Sequence, residues 1–96
     1  MPRYLSLINF TDEGIRKVKD SAKRADAFRV NVEKAGGKVH GMYWAVGEFD
    51  GAVIFEAPDE STATALLLRL GSAGFVRTRT LRVNDAKEFG DILKQS

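Results

Sequence analysis

The chain of 96 residues contains no cysteine, one histidine, one tryptophan and two prolines. Without cysteine there is no disulfide framework, no thiolate metal site and no thiol nucleophile. His40 alone cannot build a histidine-rich metal cluster. No apolar run approaches the roughly 20 residues of a membrane-spanning helix, and the first residues lack the apolar stretch of a signal peptide. No phosphate-cradling glycine loop, nucleophile elbow or zinc motif occurs. A cytoplasmic protein with no metal, cofactor or membrane partner is therefore expected. The formal charge of +2 is too small to call by itself for a polyanionic partner.

What is present is an ordinary globular composition, 44% apolar and 29% charged. The length predicts one domain spanning residues 1–96. The candidate strands are apolar on both faces, where a half-solvated antiparallel strand should alternate apolar and polar residues. Leu5 and Leu7 point one way while Tyr4, Ile8 and Phe10 point the other; Val53 and Phe55 are backed by Ala52 and Ile54.

Arg3–Phe10 reads as the first strand. Thr11 is a good N-cap for a helix opening with Asp12 and Glu13, and Ile15, Val18, Ala22, Ala25, Phe28, Val32 and Ala35 form one helical stripe. Gly36-Gly37 ends it. Lys38–Val46 and Phe49–Glu56 flank Gly47-Glu48, which fits a type II′ hairpin. That register puts Met42, Trp44, Val46, Phe49, Val53 and Phe55 on one surface with His40 opposite Phe55. Val39, Gly41, Tyr43, Asp50, Ala52, Ile54 and Glu56 fall on the other. Pro58-Asp59 opens a second helix that buries Ala63, Leu66, Leu67 and Leu70; Phe75–Val83 is the fourth strand, and Asn84 caps a terminal helix carrying Phe89, Ile92 and Leu93.

The order β-α-β-β-α-β with a C-terminal helix is the α+β, ferredoxin-like pattern with a four-stranded antiparallel sheet. Two helices cover one face of that sheet. The other stays apolar and uncovered, so the chain is expected to pair with itself, sheet against sheet, as a homodimeric α/β barrel or a higher homo-oligomer. The mixed face bearing Tyr43, Asp50 and Glu56 is the expected contact, with the one bearing Met42, Val53 and Phe55 beneath the helices.

With these elements in place the chain resembles the GYD-domain family, small bacterial and archaeal proteins named for a Gly-x-Tyr-Asp segment. The resemblance runs through Tyr4 and Leu7, Thr11-Asp12-Glu13-Gly14-Ile15, Lys19-Asp20-Ser21 with Arg24, and Gly36-Gly37. It continues in Tyr43-Trp44, Gly47-Glu48-Phe49-Asp50, Glu56-Ala57-Pro58-Asp59, Gly74-Phe75-Val76-Arg77-Thr78 and Thr80-Leu81-Arg82. It implies a dimeric ferredoxin-like fold without an established activity. The naming tyrosine is Phe49 here, which removes a phenolic hydroxyl. Ala22 stands where relatives carry proline, which predicts a first helix without a break.

Five residues are candidates for a ligand site: Tyr43, Asp50 and Glu56 on the mixed face, and Arg77 and Arg79 on one side of the fourth strand. Asp50 could cap turn amides, or act as a base or polar anchor beside a pocket. Glu56, ending an apolar strand, calls for a cation, and Arg77 and Arg79 are available within the chain or across an interface. His40 reads as structural for want of companions. Lys19, Lys23 and Arg24 read as the solvated side of the first helix. An RNA-recognition motif shares this element order, but its third strand would follow a basic residue, and Glu48 and Asp50 here repel phosphate; no nucleic-acid partner is expected. The functional reading is a small molecule bound or sensed in a cleft between sheet and helices. The alternatives are a cofactor-independent oxygenase or isomerase using Asp50, by analogy of fold alone, or a structural or regulatory protein whose interface is its function.

Overall fold

The computed structural model describes residues 1–96 and has β1 (Arg3–Phe10), α1 (Asp12–Arg16), a 3₁₀ turn (Val18–Asp20), α2 (Ser21–Lys34), β2 (Lys38–Trp44), β3 (Gly51–Glu56), α3 (Glu60–Ser72), β4 (Val76–Val83) and α4 (Ala86–Leu93). The strands form one antiparallel sheet in the order β2-β3-β1-β4, so the chain is α+β and ferredoxin-like. No helix is long and apolar enough to cross a membrane.

Helices α2 and α3 cover one face of the sheet. Tyr4, Val53 and Phe55 meet Phe28 and Val32 of α2 and Ala63 and Leu66 of α3 in the core. Phe55 is its centre: its ring lies 5.5 Å from that of Tyr4 and 5.4 Å from that of Phe28, the second contact edge-to-face. Ser6 is the one buried polar residue here, and its hydroxyl bonds that of Thr80 on β4 at 2.9 Å. The expected helical face therefore holds for Met42, Val53 and Phe55.

Local chemistry explains most boundaries. Thr11 accepts a hydrogen bond from the Gly14 amide, and Asp59 does the same for Thr62. The cap of α4 is Asp85 rather than Asn84, because Asp85 completes a capping box with Glu88. Gly36 ends α2 region with φ +89°. Gly14 has a different duty: its α-carbon packs so closely on the Phe75 carbonyl that an added methyl would collide with that backbone oxygen. Gly14→Ala is expected to cost about 1–3 kcal/mol by overpacking, read as a lower denaturation midpoint with an unchanged m-value.

Three further sequence expectations about the backbone fail for identifiable reasons. The first helix does break. Lys17 leaves helical geometry (φ −108°, ψ 30°), and its carbonyl is taken by the Arg24 guanidinium, so Ile15 and Val18 stay exposed and the buried stripe starts further on. The tight hairpin is replaced by a longer loop. Ala45 donates to the Asp50 carbonyl, and residues 46–49 lie beyond the ladder, with Gly47 at φ 140° and Val46 fully exposed. Phe49 swings to the outer face, where the Arg79 guanidinium stands 5.9 Å from its ring centroid.

The third failure is a register shift at His40. Trp44 pairs with Gly51 and Gly41 with Ile54 as expected, but Val39 then pairs with Phe55. A bulge of one residue reverses the faces beyond it. Val39 packs against the core, and His40 turns outward to Glu56.

Helix α4 stands apart from this core. The radius of gyration is 14.2 Å, against about 12.5 Å for a compact chain of this length. Phe89, Ile92 and Leu93 are all exposed along it.

Candidate functional site

The outer face of the sheet is apolar across its width. One row runs Gly41, Ile54, Leu5, Leu81 through all four strands, and the next runs Tyr43, Ala52, Leu7, Arg79. No element of the chain covers these rows: Tyr43 is 60% exposed and Leu81 48%. The Tyr43 ring fills the space above Gly41, where a β-carbon would come within 2.8 Å of it.

The five sequence candidates do not converge. Asp50 closes the end of the β1–β3 ladder: its carboxylate accepts from the Phe10 amide at 2.8 Å, and its own amide donates to the Ile8 carbonyl at 2.8 Å. That is a structural acceptor, already occupied. Arg77 and Arg79 lie opposite Asn9 and Leu7, whereas Glu56 lies opposite Arg3, four to six residues further along β1, or roughly 13–20 Å. Neither arginine forms an ion pair within the chain.

Glu56 instead has partners that sequence reasoning passed over. Its carboxylate bonds His40 Nε2 and the Arg3 guanidinium, the latter at 3.4 Å, and its side chain is only 15% exposed. Arg3 also reaches Glu88 at 2.9 Å and Asp85 at 3.5 Å, so one guanidinium ties β3 to the base of α4. Arg3 could have been found by asking what faces Glu56 across β1. His40 could not, because a bulge leaves no mark in residue type.

The hydrogen bond from His40 holds the Glu56 carboxyl below the usual glutamate range; partial burial pushes it up, and the charges of His40 and Arg3 push it down. A carboxylate favoured by the fold stabilises fully above its unfolded pKa of about 4.3 and loses that contribution as pH falls through the lower folded value. Glu56→Gln is expected to flatten part of the acid-side fall in melting temperature between about pH 5 and pH 3. Thermal scans through that window check this, and a fall as steep as in the parent protein would contradict the role given to Glu56.

On the helical side lie three clefts, of which an open one of about 440 Å³ between α3 and β4 is bordered by Arg77. Of the other two, the first runs between α2 and the β2 edge, beneath Trp44, whose indole N–H donates to the Ser21 hydroxyl at 2.9 Å; its room is about 60 Å³. Tyr43 and Asp50 reach its rim. The second, of about 210 Å³, lies between α2 and α3 over the start of β4. Arg24 borders both, with its guanidinium 4.4 Å from the Phe75 ring centroid. It is not the solvated helix residue its spacing suggested.

The doubly apolar sheet, the Gly47–Asp50 loop over its end and the helix pair behind it form one arrangement that a single family model covers from residue 4 to residue 93. The chain belongs to the GYD domain family. A relative from Thermus thermophilus, a glutamine synthetase and cystathionine beta-lyase binding protein, is 30% identical over 82 residues, covering 84% of this chain and 86% of its own length. In this GYD domain the ring at position 49 serves as a platform beside Arg79 and makes its contact without a hydroxyl.

Proposed function

We propose that this GYD domain is a protein-binding module that works as a homo-oligomer, with metabolic enzymes as its partners. The uncovered apolar outer face carries the reading. A patch of this kind on a small domain marks an interface, and charge favours a second copy as its occupant. Arg77 and Arg79 stand unpaired at one end of the face, while Glu56, Asp85 and Glu88 gather around Arg3 at the other. A two-fold axis running across the strands would lay the arginine end of one protomer over the acidic end of the next. The exposed face of α4 would extend the same contact.

Enzyme partners are supported by the Thermus thermophilus relative, a glutamine synthetase and cystathionine beta-lyase binding protein. Such partners would bind away from the outer face, where Ile15, Val18 and Val46 remain exposed. Surface plasmon resonance against purified glutamine synthetase and cystathionine beta-lyase tests the partner class. Saturable binding at about 10 μM or tighter supports it, and no response from either enzyme would overturn it while leaving the oligomer to its own test.

A second reading, a small molecule held between sheet and helices, is favoured by one observation on the opposite side of the sheet. A cleft between α2 and α3 is lined there by Arg24 and Arg69 with no acidic side chain. The cofactor-independent enzyme reading has less to stand on, since Asp50 is engaged by the Phe10 amide.

A further inference from the structure

The cleft between α2 and α3 has the chemistry of a site for one particular class of ligand. Seven of its ten lining residues are hydrophobic, among them Phe28, Leu70, Phe75 and Val76. The other three are Arg24, Asn31 and Arg69, so the lining contains two cations and an amide and no acidic side chain.

Arg24 is fixed rather than mobile. Its Nη1 donates to the Lys17 carbonyl at 3.1 Å, and its guanidinium carbon lies 4.4 Å from the Phe75 ring centroid. Nη2 has no protein acceptor and no accessible surface, so what Arg24 offers the cleft it lines is its positive charge and not that N–H. Two arginines in an apolar lining with no carboxylate beside them favour an anion as the ligand.

The kind of anion follows from the surroundings. Leu66, Arg69 and Leu70 of α3 and its C-cap Ala73 line the cleft, the C-terminal half of that helix, where the dipole is negative. A doubly charged phosphate would meet that field with no backbone amide nest to hold it. A single negative charge on an apolar body suits two arginines, an amide and aromatic and aliphatic walls.

We infer that the α2–α3 cleft binds a small amphipathic monocarboxylate, its carboxylate against Arg24 and Arg69 and its apolar body along Phe28, Leu70 and Val76. This rests on the small-molecule reading and names its ligand class. The cleft lies on the helical side, so it stays open when the outer face is covered.

Hexanoate and hexan-1-ol are matched probes, equal in chain and different in charge. Titration of the ¹⁵N-labelled full chain, followed by amide shifts, is expected to show saturable hexanoate binding at Asn31, Leu70 and Ala73. Hexanoate should bind about tenfold or more tightly than hexanol, the worth of a charge-assisted hydrogen bond. Arg24→Gln should weaken hexanoate by about tenfold and leave hexanol unchanged. Should Arg24→Gln lose its dispersed spectrum, Arg69→Gln takes its place, with a several-fold loss expected. Equal affinity for the two probes would overturn the carboxylate while sparing a small-molecule cleft. No saturable shift from either probe would overturn both. Unchanged hexanoate affinity in Arg69→Gln, with Arg24→Gln either unaffected or unfolded, would also overturn the assignment.

Discussion

Replacing Ile54 by glutamate is expected to leave the fold intact and take the assembled protein apart. Ile54 sits mid-row on the outer face between Gly41 and Leu5, partly exposed in the isolated chain. A carboxylate there reaches water in a monomer and costs little. Pressed against the apolar face of a second copy it would be buried without a cation, a penalty of about 3 kcal/mol or more. The dissociation constant should therefore rise by about 100-fold or more. Sedimentation velocity reads the loss of assembly, and an unchanged far-UV circular dichroism spectrum at low temperature shows that the sheet survives. Tyr43→Ala on the same face should act in the same direction but more weakly, since it removes contact area without introducing a charge.

Phe55→Ala is expected to give the largest loss of stability of any single substitution in the chain. The side chain has no exposed surface and joins the Tyr4 ring on the sheet to the Phe28 ring on α2. Truncation removes both aromatic contacts and leaves a cavity the rigid sheet cannot close, at about 3–5 kcal/mol. Only 12 of the 96 residues are buried in the single chain, so the core holds few other contacts to absorb that loss. The melting temperature should fall by about 15 °C or more. Val46→Ala is the contrasting control: that side chain is fully exposed at the loop tip, and its removal should change the melting temperature by no more than about 2 °C. A similar fall in both variants would contradict the placement of the core.

The features that were legible in the sequence are those dictated by local chemistry and by period. Thr11 and Asp59 cap helices as their residue types require, Gly36 ends α2, and Val53 and Phe55 lie beneath the helices because the side-chain period in a strand is two. The features that were hidden depend on where the chain departs from a period. The bulge at His40 reversed Val39 and His40 and gave Glu56 a partner no spacing could supply. The break at Lys17 arises from a tertiary bond, Arg24 reaching back to a carbonyl seven residues earlier, not from proline. Asp50 reads as a turn residue, yet its partner, the Phe10 amide, belongs to a strand distant in sequence.

The candidate site divides in the same way. The uncovered face could be read from Leu5, Leu7, Ala52 and Ile54, because apolar residues on both sides of a strand need two covers. The α2–α3 cleft could not, because Arg24, Asn31 and Arg69 meet only once two helices pack. Their spacing within each helix looks like an ordinary solvated edge.

The central claim is that the outer face of the sheet is closed by a second copy of the chain. Light scattering on the unmodified protein as it leaves a sizing column, at micromolar concentration, measures this directly. A mass of twice 10.6 kDa or a higher multiple is the expected result. A single species of 10.6 kDa would contradict it and would leave that face to some other cover.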